Sequence, residues 1–190
     1  MASKSSLTRQ EAIQYVKEKL GFENIEDAAL DLATLNEIQR RLMSEVPFQN
    51  VSLISMPPEK RFPTVEDVLA DGLSLQGGAC AHNNWFTCLL LRALGYDAYT
   101  IAAIYCSEIE MEDMHMMLIV KGVEDPDDPL QADPLFLVDV ASGYPLPHPV
   151  PLHRLPVTFP ETAGLELSFA KYGNMIHRLH HSRDPNPNEV

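Results

Sequence analysis

Gln76-Gly77-Gly78-Ala79-Cys80-Ala81-His82-Asn83-Asn84-Trp85-Phe86-Thr87-Cys88-Leu89-Leu90-Leu91-Arg92-Ala93-Leu94-Gly95 separates two kinds of pattern in this chain. From Cys80 to Leu94 apolar residues fall on most sides of a helix, which predicts a central, almost fully buried helix that Gly95 ends. Upstream the hydrophobic spacing is helical. Downstream, residues 96–106, 115–121 and 135–140 are runs of β-branched, aromatic and aliphatic residues that suit strands. Helices first and strands afterwards argue for an α+β fold: a helical lobe (1–95) packed on an antiparallel β lobe (96–182), with a frayed tail (183–190).

Working outward, Thr8-Arg9-Gln10-Glu11 reads as a capping box, followed by an apolar stripe of Ile13, Val16 and Leu20 that Gly21 stops. Thr34 and Glu37 repeat the device ahead of Leu35, Ile38 and Leu42, and Pro47 closes that helix. A third short helix is expected from Thr64 to Ala70. The acidic 122–134 reads as a long solvated hairpin loop. Six prolines between Tyr144 and Pro160 predict an extended wrap with little regular structure, and residues 165–181 predict one or two further strands.

A formal net charge of −13 over 190 residues repels phosphate backbones, so nucleic acid is excluded as a partner and a polyanionic cofactor is disfavoured. The sequence as it stands shows neither a signal-type apolar core nor a stretch able to span a bilayer, so no membrane association is expected. Three cysteines (Cys80, Cys88, Cys106), without a CxxC, point to free thiols in a reducing cytoplasm.

Cys80 follows Gly77-Gly78-Ala79 and opens the buried helix, where the positive end of the macrodipole favours a thiolate. The two glycines allow backbone or substrate to come close. A cysteine in that place is by itself ordinary core filling; His115 and Asp139 change its meaning. If 115–121 and 135–140 pair as an antiparallel hairpin with His115 opposite Asp139, Met117 faces Leu137 and Ile119 faces Leu135, all on one sheet face. The carboxylate would then fix the imidazole tautomer, and a nearby thiol would complete an ion pair.

Four segments carry a resemblance. Val46-Pro47-Phe48-Gln49-Asn50-Val51-Ser52 resembles the P-F-E-N-L-S stretch of arylamine N-acetyltransferases, and Gln76-Gly77-Gly78-Ala79-Cys80-Ala81-His82-Asn83-Asn84 their R-G-G-x-C-x-E-x-N segment. His115-Met116-Met117-Leu118-Ile119-Val120 resembles the family's histidine strand, and Val138-Asp139-Val140-Ala141-Ser142-Gly143 its V-D-V-G-F-G. The resemblance implies a papain-like cysteine fold with a partial barrel, a Cys80–His115–Asp139 triad and ping-pong transfer of an acyl group from a thioester to an amine. It implies substrate contacts at Phe48, Gly77, Gly78, Ser142 and Gly143. No permanently bound cofactor and no metal are expected. Oxyanion donors would be backbone amides, one of them at Cys80.

The departures are specific. The family's arginine before Gly-Gly is Gln76 and the glutamate of P-F-E-N is Gln49, so a charge pair is replaced on both sides. Its glutamate after the cysteine is His82, either a second titratable group near the thiol or a partly exposed helix histidine. Its pocket phenylalanine is Ser142, which implies a roomier or more polar site. Ser107 to Met114 holds four carboxylates, which would oppose the phosphates of coenzyme A. The family continues through further barrel strands into a third lobe that helps enclose the coenzyme, and this sequence ends before it. The donor is therefore left open between an acyl-coenzyme A and a carrier-protein thioester, and a sheet edge is left for a homodimer or a partner chain. A papain- or transglutaminase-like hydrolase, or a relative that binds, cyclises or isomerises a small molecule, are the alternatives. His177, His180 and His181 lack the neighbours of a metal site, Cys88 reads as core, Cys106 sits at a strand end, and Met111, Met114, Met116 and Met117 read as adaptable packing.

Overall fold

A computed structural model describes residues 5–54, 56–105, 111–144, 146–162 and 165–182. Among the described residues five α-helices come first: α1 (Arg9–Glu18), α2 (Leu32–Glu45), α3 (Val51–Ile54), α4 (Val65–Leu73) and α5 (Cys80–Leu94). Seven strands follow: β1 (Asp97–Tyr105), β2 (Met111–Lys121), β3 (Leu135–Val138), β4 (Val150–Pro151), β5 (Val157–Thr162), β6 (Leu165–Tyr172) and β7 (Met175–Ser182). Strands β1-β2-β3-β4 form one open sheet and β5-β6-β7 another, so the α+β expectation holds.

The helix starts follow from side-chain chemistry. Thr8 and Glu11 form the expected box, the Thr8 amide donating to the Glu11 carboxylate at 2.9 Å. The cap of α2 is a correction: Asp31, not Thr34, accepts the first-turn amide, with Thr34 N–H donating to it at 2.8 Å. The carboxylate three residues upstream captures that amide, so the helix starts earlier, and Glu37 turns instead to Arg40 and Arg41. The predicted third helix starts at Thr64 but runs on to Leu73, with Asp67 completing a box. Helix α5 occupies the predicted Cys80–Leu94, ended by Gly95 at φ 116°, and its N-cap Ala79 provides no side-chain hydrogen bond. Within that first turn the Ala81 amide bonds the Cys80 thiol, while the His82 amide folds back on the Ala79 carbonyl at 3.0 Å.

Two cores divide the work. The first packs α1, α2, α4 and α5 against one face of the four-stranded sheet through Leu118, Val120, Phe136 and Val138. The opposite face supplies Ile119 and Leu137 to a second core with Leu146, Val150, Leu167 and Phe169. The four-stranded sheet is therefore a middle layer, helices on one side and β5–β7 on the other.

The β2–β3 register differs from expectation by two residues: Ile119, not Met117, lies opposite Leu137, and Leu135 pairs with Lys121. The Gly122 amide donating to the Pro134 carbonyl at 2.9 Å closes the hairpin just beyond that last pair and sets the slip. A shift of two leaves every side chain on its expected face, so His115 and Asp139 still share one. Asp139 sits just past the end of β3 instead of squarely opposite His115.

Two further expectations are corrected. The acidic loop is not wholly solvated, since Val123 and Asp125 are buried. The proline-rich stretch also contains β4, which pairs with β3, and the start of β5. Pro151 lies on the edge strand β4, and Pro160 falls where the β5–β6 register shifts between Phe159 and Thr162. Residues 165–181 form two strands, β6 and β7. Residues 106–110, with Cys106, and the tail from 183 lie outside the described residues, as do the side chains of 111–114. Among the described residues no helix is long and apolar enough to cross a membrane.

Candidate active site

The loop that delivers Cys80 is held by the Pro47–Gln49 segment. Gly78 N–H donates to the Pro47 carbonyl at 3.2 Å, Gln49 N–H to the Gly78 carbonyl at 3.0 Å, and Asn83 Nδ2 to Pro47 at 3.0 Å. Gly77 has φ +67°, and a Cβ there would lie 2.0 Å from the Pro47 carbonyl oxygen. The close approach that the glycines permit is therefore made by backbone. Gln49 Nε2 reaches Ser52 Oγ at 3.3 Å and the Gln76 carbonyl at 3.4 Å, two neutral contacts.

Beyond this loop the three predicted residues meet. His115 Nε2 lies 2.9 Å from Asp139 Oδ2, and the thiol of Cys80 hydrogen-bonds to the same imidazole, whose Nδ1 is left to face it. Burial pushes the Cys80 thiol up, but the His115 bond and the backbone amides of Met116 and Ala81 outweigh it, so the group ionises below the ordinary thiol range. Burial works against a charged His115 as well, yet the Asp139 carboxylate and the thiol lift it to about 9. Asp139, with its side chain fully buried, is raised by desolvation and lowered more strongly by His115, Asn84 and the Ala141 amide. Each of these directions works toward the combination of thiolate, imidazolium and carboxylate.

Two side chains that the sequence reading gave no role complete the arrangement. Asn84 lies one helical turn after Cys80, on the same face of α5. Its Nδ2 donates to Asp139 Oδ1 at 2.9 Å and to the Met116 carbonyl at 2.6 Å, and its Oδ1 accepts the Val140 amide at 2.9 Å. The four-residue spacing from Cys80 was the available signal. Arg178, on β7, reaches Asp139 Oδ2 at 3.4 Å and Ser142 Oγ at 3.3 Å and donates also to the Tyr144 carbonyl. Nothing in the sequence pairs it with Asp139, because that contact depends on how one sheet docks on the other.

Among the predicted substrate contacts, Ser142 stands beside Arg178, a Cβ on Gly143 would meet open space, and Phe48 is half exposed. His82 is not the partly exposed helix histidine of the second reading. It is buried against α4, with Nε2 3.9 Å from Asp71 Oδ2 and its ring crowding Gly78. Burial lowers its pKa more than Asp71 and Asp67 raise it. Cys88 is buried, and burial raises its pKa. His181 bonds Ser168 Oγ at 2.8 Å, and among the described residues no group of side chains is arranged to hold a metal ion. A second buried carboxylate, Asp125, accepts a hydrogen bond from His153 Nε2 at 2.8 Å and pairs as an ion with Arg154, whose Nε lies 2.9 Å away.

A family model described as N-acetyltransferase matches residues 31–178. No curated protein matches the sequence. Among solved structures, an arylamine N-acetyltransferase from M. smegmatis superposes with a TM-score of 0.69 at 20% identity, over 88% of this chain and 60% of that one. Arylamine N-acetyltransferase C from Bacillus anthracis gives 0.69 at 15% identity, over 91% and 66%. A Bacillus cereus arylamine N-acetyltransferase described as having a unique Cys-His-Glu catalytic triad gives 0.68 at 18% identity, over 91% and 66%. These likenesses are of fold, and the chain spans roughly 60–66% of the length of those proteins.

Proposed function

The chain belongs to the N-acetyltransferase family, and from that premise we propose that it is a cysteine-dependent acyltransferase in which Cys80, His115 and Asp139 carry an acyl group from a thioester to an amine. The observation that carries this reading is the unbroken contact chain from the Cys80 thiol through the His115 ring to the buried Asp139 carboxylate. In the first half-reaction the thiolate attacks the thioester carbonyl, forming a C–S bond and a tetrahedral oxyanion. Backbone amides at the uncapped start of α5, that of Cys80 among them, are the donors such an oxyanion would meet. Collapse breaks the bond to the donor sulfur, which leaves with the proton of His115. In the second half-reaction the amine attacks the acyl-Cys80 carbonyl, the imidazole takes the amine proton, and the Cys80 thiolate departs as the amide forms.

Asp139 keeps the imidazole turned toward the sulfur and compensates its charge; Asn84 locks that carboxylate to helix α5. The donor is an acyl-coenzyme A or a carrier-protein thioester and the acceptor a small amine, and a second copy or partner chain at an open sheet edge belongs to the same proposal. The thiol of Cys88, in no disulfide, accords with a reducing cytoplasm.

Intact-mass spectrometry after incubation with acetyl-coenzyme A, and separately with acetyl-pantetheine and acylated carrier protein, tests the first half. An acyl adduct on Cys80 that an arylamine discharges to an amide is the expected result. Discharge by water at the same rate with and without amine would make the enzyme a hydrolase. Failure of every donor to load Cys80 would remove the acyl-transfer reading.

A further inference from the structure

Asp139 Oδ2 is shared. His115 approaches it at 2.9 Å from the middle sheet, and Arg178 approaches the same oxygen at 3.4 Å from β7 on the sheet behind. The guanidinium is mostly buried, its side chain 18% exposed, and it is tied down at two more points, Ser142 Oγ and the Tyr144 carbonyl. It thus spans the turn that follows Asp139 and pins it to the β6–β7 hairpin. We infer that Arg178 is a positioning residue of the triad: it fixes the Asp139 turn from the second sheet and sets how firmly the imidazole of His115 holds its proton.

The physical argument has two parts. Mechanically, Asp139 lies beyond the last paired residue of β3, so the ladder does not fix its backbone. It is held instead by Asn84 and the Ala141 amide on one oxygen, by the Val140 amide on Asn84 Oδ1, and by His115 with Arg178 on the other oxygen. Electrostatically, two cations on one carboxylate oxygen oppose each other, so a fixed guanidinium makes the imidazolium easier to deprotonate than Asp139 alone would leave it. An acid that must hand its proton to a departing thiol works best when its affinity is not excessive. Among the described side chains, the charged and titratable groups in contact with this carboxylate are His115 from β2 and Arg178 from β7, with Cys80 from α5 on the imidazole and His180 beside Arg178 on the same strand. His180 is biased to its neutral form by burial and then by Arg178, so the guanidinium is the cation that counts.

This inference rests on the acyltransfer reading for its purpose, but its test does not use acyl transfer. The ring titration of His115 is followed by NMR on histidine-labelled protein, with its signal assigned by its loss in His115→Asn. Arg178→Gln keeps a hydrogen-bond donor without the charge, Arg178→Met keeps neither, and Arg178→Lys keeps the charge. In both neutral variants the His115 titration should move upward by about one pH unit, the size expected of a charge removed at this range. Arg178→Lys should leave it near the wild-type value. A merely structural arginine would lower the denaturation midpoint in the neutral variants and leave the titration where it was, which overturns the proposal. If one neutral variant does not fold, the other decides. Should the titration shift as expected while no donor loads Cys80, the positioning role stands and the acyl-transfer proposal falls.

Discussion

The molecule builds the same pairing twice and uses it differently. Asp139 and Asp125 are both fully buried carboxylates that accept a bond to Oδ2 from a histidine Nε2, at 2.9 Å from His115 and 2.8 Å from His153. Each also has an arginine on that oxygen, Arg178 at 3.4 Å and Arg154 at 2.9 Å. The difference lies at the other ring nitrogen. That of His115 faces the thiol at the start of α5, whereas Nδ1 of His153 has no partner among the described residues and its ring packs edge-on against Phe136, centroids 5.5 Å apart. Asp139 is tied to a helix through Asn84; Asp125 is tied to its own loop through the Asp127 amide and, through His153 and Arg154, to the turn after β4. A carboxylate and an imidazole therefore make an orienting device, and what stands beyond the ring decides whether it orients a base or clamps a loop.

The widest gap between the two should appear on removing the group that only one possesses. Cys80→Ala is expected to abolish the acyl adduct and lower amine-dependent turnover on the order of 10⁴-fold, while His153→Gln leaves both unchanged. An adduct that persists in Cys80→Ala would show that the chemistry lies elsewhere. Next in size is a crossed pair of substitutions. Asp139→Asn should cut turnover roughly 10³- to 10⁴-fold by misorienting the imidazole, with a folded protein retained. Asp125→Asn should leave turnover intact yet cost about 2–4 kcal/mol in urea unfolding, because Arg154 loses its buried counter-charge. If Asp125→Asn depressed turnover as deeply as Asp139→Asn, the division between base and clamp would not hold.

The contrast also shows what the sequence could say. Helix α5 was legible to the residue because its apolar pattern, its preceding glycines and Gly95 all mark the same limits. His115 and Asp139 were legible as a same-face pair because strand alternation survives a register slip of two, although the slip itself depended on how Gly122 and Pro134 close the hairpin. Asp125 was not legible. Within an acidic, proline-containing run it looks solvated, and only the fold of the 150–154 segment brings His153 and Arg154 over it. Arg178 was hidden for the same reason, since a contact between sheets has no local pattern. His82 misled because its helix position says nothing of α4, which covers it.

A third test sharpens the comparison at the thiol. With the imidazole in place Cys80 ionises below the ordinary thiol range; without it the opposing effect of burial is left less balanced. His115→Asn should therefore slow alkylation of Cys80 by iodoacetamide at neutral pH roughly 10- to 100-fold, read by peptide mass. Buried Cys88 should react slowly in both proteins. The signs across pH follow. The imidazolium's contribution to stability is whole below the ordinary histidine range and is lost as pH climbs through about 9. The thiolate's is whole above the ordinary thiol range and is lost as pH falls through its lowered value. A Cys80 alkylation rate indifferent to His115 would mean that the ring does not activate the sulfur.

The smallest expected effect belongs to the loosest of the histidine–carboxylate contacts. His82 lies 3.9 Å from Asp71, and burial outweighs that attraction, so the folded protein holds it neutral more readily than the unfolded chain does. The unfolded chain then binds the extra proton as pH drops below the ordinary histidine value, and stability should decline over that interval until the carboxylates begin to titrate. His82→Gln removes the titrating ring, so the difference in unfolding free energy between the two proteins should move with pH in favour of the variant on the acid side. Its Cys80 alkylation profile should match the wild type, because the groups that lower the thiol are His115 and the Met116 and Ala81 amides. A wild-type advantage that grows on acidification would mean that Asp71 holds His82 charged in the folded state. The pair would then resemble Asp139–His115 in electrostatics, and an unaltered alkylation profile would be the one feature still separating them.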